Sequence, residues 1–335
     1  MTRWQSRLPF ARLFGAACAA MLALGGLGGA ARAADAPEPL SIVIFGAPSL
    51  GAFLPNIIKQ RKLDAANGLD ITFADRTPDA YATEFNSGEF ELGGSAALLT
   101  VGLADLRGVH VTYLFNLFDY WGAVVTQRPE IKTLADLAGK QLAAAKGTTN
   151  YTMFEWLARR QGLDTSSLQV VNTATPGLIG YVLADRADAV QLWEPAYSML
   201  IAKRPSVRTL DLDVAGQWRA FTGSDHMPYL GVAAQSAWVA QHKALIPRLY
   251  RTYRDAAAWA AANPAAAAAI IVGQGDAQQR SAIERLIRDN RRLGMNVAPA
   301  AKLTNEINAV YRAGMSLGYL KSMPSPASIY EGNLE

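Results

Sequence analysis

The sequence predicts an α/β protein of two lobes, each built on a parallel sheet, with a helical C-terminal tail. Three observations predict it. Short runs rich in Ile, Val and Phe alternate with helical stretches of about ten residues, the pattern of buried parallel strands with crossover helices. This series restarts after Tyr120, and beyond Gln235 it gives way to helical sequence running to about Tyr319. With 335 residues, 50% of them apolar and 18% charged, the chain has ample material for a buried core.

In the first series "LSIVIFG" from Leu40 is a strand, followed by a helix near 52–65, the strand "LDITFA", a helix near 78–87, "FELGGS", a helix near 96–106 and "VHVTYLFNLF". The second series runs "WGAVVTQ", a helix near 133–137, "KQLAAA", a helix from Thr149, "LQVVN", a helix near 176–184, "DAVQLW", a helix near 195–203 and "VRTLDL". The halves repeat in architecture and not in sequence. "MPYLGVAAQ" is the last strand expected. The apolar stretch 256–272 is long enough to suggest a membrane span, but Asn263-Pro264 divides it into two alanine-rich helices, because proline disfavours helix at the residue before it and suits a first turn.

Residues 1–33 read as a secretory signal peptide. Arg3, Arg7 and Arg12 precede an uncharged run from Leu13 to Ala31, and Ala31-Arg32-Ala33 is a small-residue cleavage pattern, placing the cut before Ala34 and implying that the mature protein is exported. The run lacks a twin arginine and has no Leu three residues before Cys18, so neither folded export nor a lipid-anchored cysteine is expected. Removing Arg3, Arg7, Arg12 and Arg32 leaves 28 basic against 28 acidic side chains. A balanced charge argues against nucleic acid or a membrane surface as partner. Cys18 is the only cysteine, so the mature chain has no disulfide, thiolate catalyst or Cys-bound metal.

Catalytic signatures fail on context. Gly314-Met315-Ser316-Leu317-Gly318 fits the G-x-S-x-G elbow, which needs a preceding strand and a later His; a helical pattern precedes it and no His follows His242. His110, His226 and His242 share no metal-ligand spacing, and only His226 lies near a lobe boundary. No cofactor is expected.

One feature survives. Gly147-Thr148-Thr149-Asn150 lies between "QLAAAK" and "YTMFEWLARR", so the unpaired N–H groups of a helix start point out of the C-terminal edge of a sheet, with Lys146 beside them. Such a mouth attracts anions through its donors and its dipole; equally, a threonine there can simply cap its own helix. "GGSAALLTVGL", with Gly93, Gly94 and Ser95 as N-cap, and "FGAPSLGAF", with Ser49 as donor, are expected to repeat the construction in the first lobe.

In these ordered motifs the chain resembles the periplasmic substrate-binding proteins of ABC importers for nitrate, sulfonates, taurine and thiamine-precursor pyrimidines. The resemblance covers about 40–260 and rests on 87–93 ("SGEFELG"), "DLAGK" (136–140), the Gly-Thr-Thr mouth, "LADRADAV" (183–190) and "WEPAY" (193–197). It implies a type II-like binding-protein fold. One lobe would comprise residues 34–120 with 226–335, the other 121–225, closing like a hinge over a small-molecule ligand. It also implies a membrane permease as partner, with the binding protein a monomer.

By resemblance the anionic group falls to Gly147, Thr148 and Thr149 and, with less support, Asn150, where several relatives carry His; Lys146 replaces a small or apolar residue. Ser49, Gly94 and Ser95 fall at the matching first-lobe turns. Tyr81, Phe118, Tyr120, Trp121, Tyr151 and Trp193 are the aromatic candidates, with Trp121 and Trp193 foremost; packing in the hinge is the other reading of Trp121. Glu194, before Pro195, either favours its helix start or meets a cationic ligand end. The ligand is then a sulfonate- or taurine-like solute or nitrate. The alternatives are a thiamine-precursor pyrimidine or other flat heterocycle, an enzyme of the thiamine-pyrimidine synthase type, or a ligand sensor for a membrane receptor.

Overall fold

The apolar runs become two open sheets in a computed structural model that describes residues 36–174 and 177–335. The expected signal peptide, with Cys18, lies outside the described residues. The chain begins with β1 (Glu38–Phe45), α1 (Phe53–Arg61), α2 (Leu63–Ala66), β2 (Leu69–Arg76), α3 (Pro78–Asn86), β3 (Leu92–Ala97), α4 (Leu98–Leu106) and β4 (Val111–Asp119). It continues with β5 (Gly122–Thr126), β6 (Gln141–Ala144), α5 (Thr149–Arg160), β7 (Gln169–Asn172), α6 (Gly177–Leu183), β8 (Ala189–Trp193), α7 (Ala196–Lys203), β9 (Arg208–Asp211) and α8 (Val214–Thr222). The remainder is β10 (Pro228–Gln235), α9 (Ser236–Gln241), α10 (Ile246–Ala262), α11 (Pro264–Val272), α12 (Ala277–Arg288), α13 (Asn290–Leu293), β11 (Met295–Pro299) and α14 (Thr304–Ser316).

Local chemistry accounts for the element ends. The α1 helix buries Leu54, Ile57 and Ile58, an i, i+3, i+4 stripe. Thr77 caps α3 with Pro78 at its first position, and Asp276 and Gln279 form a capping box on α12. Asn263-Pro264 breaks the alanine-rich stretch as expected, bending α10 from α11 by 115°. Among the described residues no single helix is long and apolar enough to cross a membrane.

The strand order is β2-β1-β3-β10-β4-β11 in the first sheet and β7-β6-β8-β5-β9 in the second. The expected parallel pairs are present as β2-β1-β3 and β7-β6-β8. Neither sheet is wholly parallel, however. β10 runs antiparallel between β3 and β4, and β5 antiparallel between β8 and β9. Each is the strand by which the chain enters that sheet from the other one, so the two crossings bring in the reversed direction. The crossings lie side by side, with the Tyr120 N–H donating to the Met227 carbonyl at 2.7 Å and His226 Nδ1 2.9 Å from Asp119 Oδ2.

The tail departs from the helix-only expectation: β11 pairs antiparallel with β4 at the sheet edge. The α8 helix is a second addition, opened by the Asp213 side chain, which accepts from the Gly216 N–H. The main core fills the layers around the first sheet and continues beneath α5 and α8 through Phe154, Trp156 and Trp218. A smaller cluster, including Val125, Val190, Leu192 and Leu200, packs the second sheet against α6 and α7.

Candidate functional site

β6 and β8 are parallel neighbours, so their C-terminal ends share one edge, and Gly122 at the start of β5 pairs there with Trp193. That edge gathers eight sequence-derived candidates: Trp121, Lys146, Gly147, Thr148, Thr149, Asn150, Trp193 and Glu194. Ligands of open α/β sheets bind outside this edge.

The mouth divides its labour. Thr148 is the N-cap of α5, its Oγ1 accepting from the Tyr151 N–H at 3.2 Å and donating to the Ala145 carbonyl at 2.8 Å. Its hydroxyl is therefore committed to the helix. Gly147 and Lys146 are exposed, and the Lys146 N–H donates to Asn172 Oδ1. Thr149 and Asn150 are buried, with the Asn150 Nδ2 donating to the Tyr229 hydroxyl at 2.7 Å and its carbonyl accepting from the Tyr120 hydroxyl at 3.2 Å.

Thr149 faces the other sheet. Its Oγ1 lies 3.5 Å from Oγ1 of Thr100 in the first turn of α4. Two helix N-termini thus converge, each carrying about half a positive charge from its aligned peptide dipoles. No side chain caps α4, and neither helix has an acidic residue in its first turn.

The first-sheet candidates sit differently from expectation. Ser95 does not cap α4: β3 continues to Ala97, which is the N-cap, while Ser95 is fully buried and its Oγ accepts from the Phe45 N–H at 2.9 Å. Gly94 is an interior strand position and not a helix mouth; a Cβ there would lie 2.9 Å from both Ile44 Cγ2 and the Tyr253 hydroxyl. Ser49 precedes a short 3₁₀ turn and donates to the Phe45 carbonyl at 3.0 Å. Ser95 and Gly94 tie β3 to β1, and Ser49 ties the following turn back to the end of β1. Gly94→Ala is expected to cost about 1–3 kcal/mol by overpacking, measurable as a lower urea midpoint at unchanged slope; an unaltered midpoint would refute the close approach.

Trp121 and Tyr197 meet edge to face, ring centroids 4.9 Å apart, and the Arg292 guanidinium from α13 lies 5.9 Å and 5.5 Å from the two rings. Arg292 Nε is 3.2 Å from Asp289 Oδ2 and 3.9 Å from Oε1 of the buried Glu194. Glu194 also accepts from the Ser198 N–H at 3.1 Å and the Ser198 hydroxyl at 2.9 Å, so it does serve its helix start, with Pro195 as N-cap instead of first helical residue. Burial raises its pKa to about 7, against the lowering pull of Ser198 and Arg292. Trp193 packs in the smaller core cluster.

Sequence reasoning missed Thr100, Gln191, Tyr229 and Arg292 as neighbours of this edge. Of these only Gln191, a polar residue inside the buried run "DAVQLW", carried a local signal. A hollow of about 360 Å³ lined by Asn56, Lys59, Thr72 and Asp75 lies against the edge strand β2, with no residue of the mouth in its lining. Ser316 of the elbow-like motif ends α14 and donates to the Ala313 carbonyl, with no strand before it.

The family model described as NMT1/THI5 like matches residues 65–267, more than half of the chain. The chain belongs to the NMT1/THI5-like family. No curated protein matches it in sequence. In structure, this NMT1/THI5-like chain is similar to the periplasmic aliphatic sulphonate binding protein SsuA of Escherichia coli, with TM-score 0.67, 18% identity, 86% of this chain and 95% of that one covered. It is also similar to the alkanesulfonate-binding protein SsuA of Xanthomonas axonopodis pv. citri, solved bound to MOPS, with TM-score 0.71, 16% identity, and 88% and 98% covered. A Candida albicans protein described as having the generic periplasmic binding protein fold matches with TM-score 0.63, 15% identity, and 89% and 97% covered. The NMT1/THI5-like chain therefore has the periplasmic binding protein fold.

Proposed function

We propose that the protein is the solute-binding component of an ABC importer, which captures a small anionic or zwitterionic organic solute between its two lobes and presents it to a membrane permease. One observation carries the anionic part: the N-termini of α4 and α5 converge at Thr100 and Thr149 with no acidic side chain in either first turn. Two like partial charges in a partly buried place favour an anion beside them. A sulfonate has the charge and the acceptors, and two structural neighbours are named for sulfonates.

In this reading residues 34–120 with 226–335 and residues 121–225 are the closing lobes. Gly147, Thr149 and Asn150 meet the ligand from one side and Thr100 from the other. Thr148 and the Ser49, Gly94 and Ser95 cluster hold the frame; Lys146 lends charge at the rim, and Trp121, Trp193 and Glu194 bound the remaining space. The protein works as a periplasmic monomer without catalysis or cofactor. Binding of a thiamine-precursor pyrimidine or other flat heterocycle is the second reading, favoured by the paired rings of Trp121 and Tyr197.

Thermal unfolding with alkanesulfonates, taurine, nitrate and an aminopyrimidine tests the proposal, since a ligand that binds only the folded state raises the midpoint with its occupancy. A rise with a sulfonate and none with the alcohol of the same chain length is expected. A rise with the pyrimidine alone selects the second reading, and no rise with any of the four refutes capture of these classes.

A further inference from the structure

Beneath the first turn of α5 lies a buried polar cluster with unmet hydrogen bonds. Gln191 of β8 is fully buried, and neither its Oε1 nor its Nε2 makes a hydrogen bond. Its carboxamide lies beside the Tyr120 hydroxyl, which gives its one proton to the Asn150 carbonyl and so has none to offer Gln191 Oε1. Asn150 is 4% exposed; its Nδ2 is held by Tyr229 while its Oδ1 has no partner. Turning that amide over changes which atom is orphaned and not the number, because Tyr229 satisfies one end only. The rings of Tyr120 and Tyr229 meet edge to face with centroids 5.8 Å apart. Gly122 makes room for them, since a Cβ there would lie 2.5 Å from the Tyr120 hydroxyl.

Each unmatched buried polar group destabilises the fold, and an apolar side chain of the same shape would avoid the cost. Stability alone does not call for glutamine in a strand whose neighbours are Val190 and Leu192. The orphaned atoms comprise a carboxamide donor and carboxamide acceptors, all uncharged, next to the place where the α4 and α5 N-termini converge. A second anion would leave the acceptors unmet, and a cation would leave the donor unmet.

The geometry points to a ligand subsite, formed by Gln191 and Asn150 with Tyr120 and Tyr229, that takes an uncharged group offering both a donor and an acceptor: a carboxamide, a ureido group or the amide-like edge of a heterocycle. This rests on the anion-binding reading above and specifies the far end of that ligand as an amide-type group, not an alkyl chain. The ligand enters when the lobes part, since the lobes meet over the cluster through Asn150 and Tyr229.

The test compares 2-carbamoylethanesulfonate with 3-methylbutane-1-sulfonate, which has the same shape and an apolar end, by titration calorimetry on the mature chain. Two or three well-placed hydrogen bonds correspond to a preference of about tenfold or more for the amide. In Gln191→Met the preference is expected to vanish while the apolar sulfonate binds as before and the ligand-free unfolding temperature holds or rises. Equal binding of both sulfonates by the native protein overturns the subsite and leaves anion capture standing; that comparison needs no variant. A preference that survives Gln191→Met, with a lowered unfolding temperature, makes Gln191 structural and also overturns it. No binding of either sulfonate overturns the subsite and the sulfonate reading together.

Discussion

Thr149→Asp is expected to abolish sulfonate binding while leaving the protein folded. Thr149 is 2% exposed and its hydroxyl lies 3.5 Å from that of Thr100, where the positive dipole ends of α4 and α5 converge. A carboxylate there supplies the negative charge that neither first turn contains. At a helix N-terminus such a charge is favourable by about 0.3–1 kcal/mol, and up to about 2 in a partly buried place, which offsets part of its desolvation. The same charge repels a second anion and occupies its donors, so the affinity should fall by about a hundredfold or more. Thr149→Val separates charge from hydroxyl: losing one hydrogen bond of about 1 kcal/mol predicts a fall of about fivefold. Calorimetric titration beside ligand-free unfolding reads both effects. Undiminished sulfonate affinity in the folded aspartate variant would remove the helix mouth from the site.

The site shows why some features are legible in sequence and others are not. The strands and their restart after Tyr120 could be read because β4, β8 and the second half of β1 are buried on both faces and so are apolar runs. That same burial hides direction: β5 and β10 carry apolar runs too, and only the crossing from one sheet to the other makes them antiparallel. β11 was not legible because its five residues, half-buried at a sheet edge and ending in Pro299, lack both a run and an alternation. Gly93-Gly94-Ser95 misled because glycines before a hydroxyl residue resemble a helix cap, whereas the glycines serve close packing inside β3. The mouth at Gly147 was legible since strand, turn, cap and helix are contiguous. Thr100 and Arg292 were not, because their place beside Thr149 and Glu194 arises only when segments distant in sequence meet.

Glu194→Gln should remove a pH-dependent penalty from the stability of the fold. Glu194 is 1% exposed, and its folded pKa stands at about 7 against an ordinary 4.5, burial outweighing its bonds to Ser198 and the attraction of Arg292. Between those two values the folded state holds a proton that the unfolded state has released. Unfolding free energy therefore falls as pH rises through this window, and the penalty is complete above about pH 7 and absent below about pH 4.5. A shift of this size corresponds to a cost on the order of 3 kcal/mol at alkaline pH. Glutamine keeps the shape and an acceptor for Ser198 without the charge, and Arg292 retains Asp289 at 3.2 Å, so the substitution strands no buried cation. The variant is thus expected to exceed the native protein in stability at pH 8 and to lose that advantage by pH 4.5, read as the difference between urea unfolding curves at the two pH values. Taking the difference cancels every other titrating group, including the His226–Asp119 pair at the crossings. A pH-independent difference would mean that Glu194 stays ionised throughout, fully offset by Arg292 and Ser198. In that case the carboxylate is a fixed partner of the tail, not a group that an incoming cation could charge.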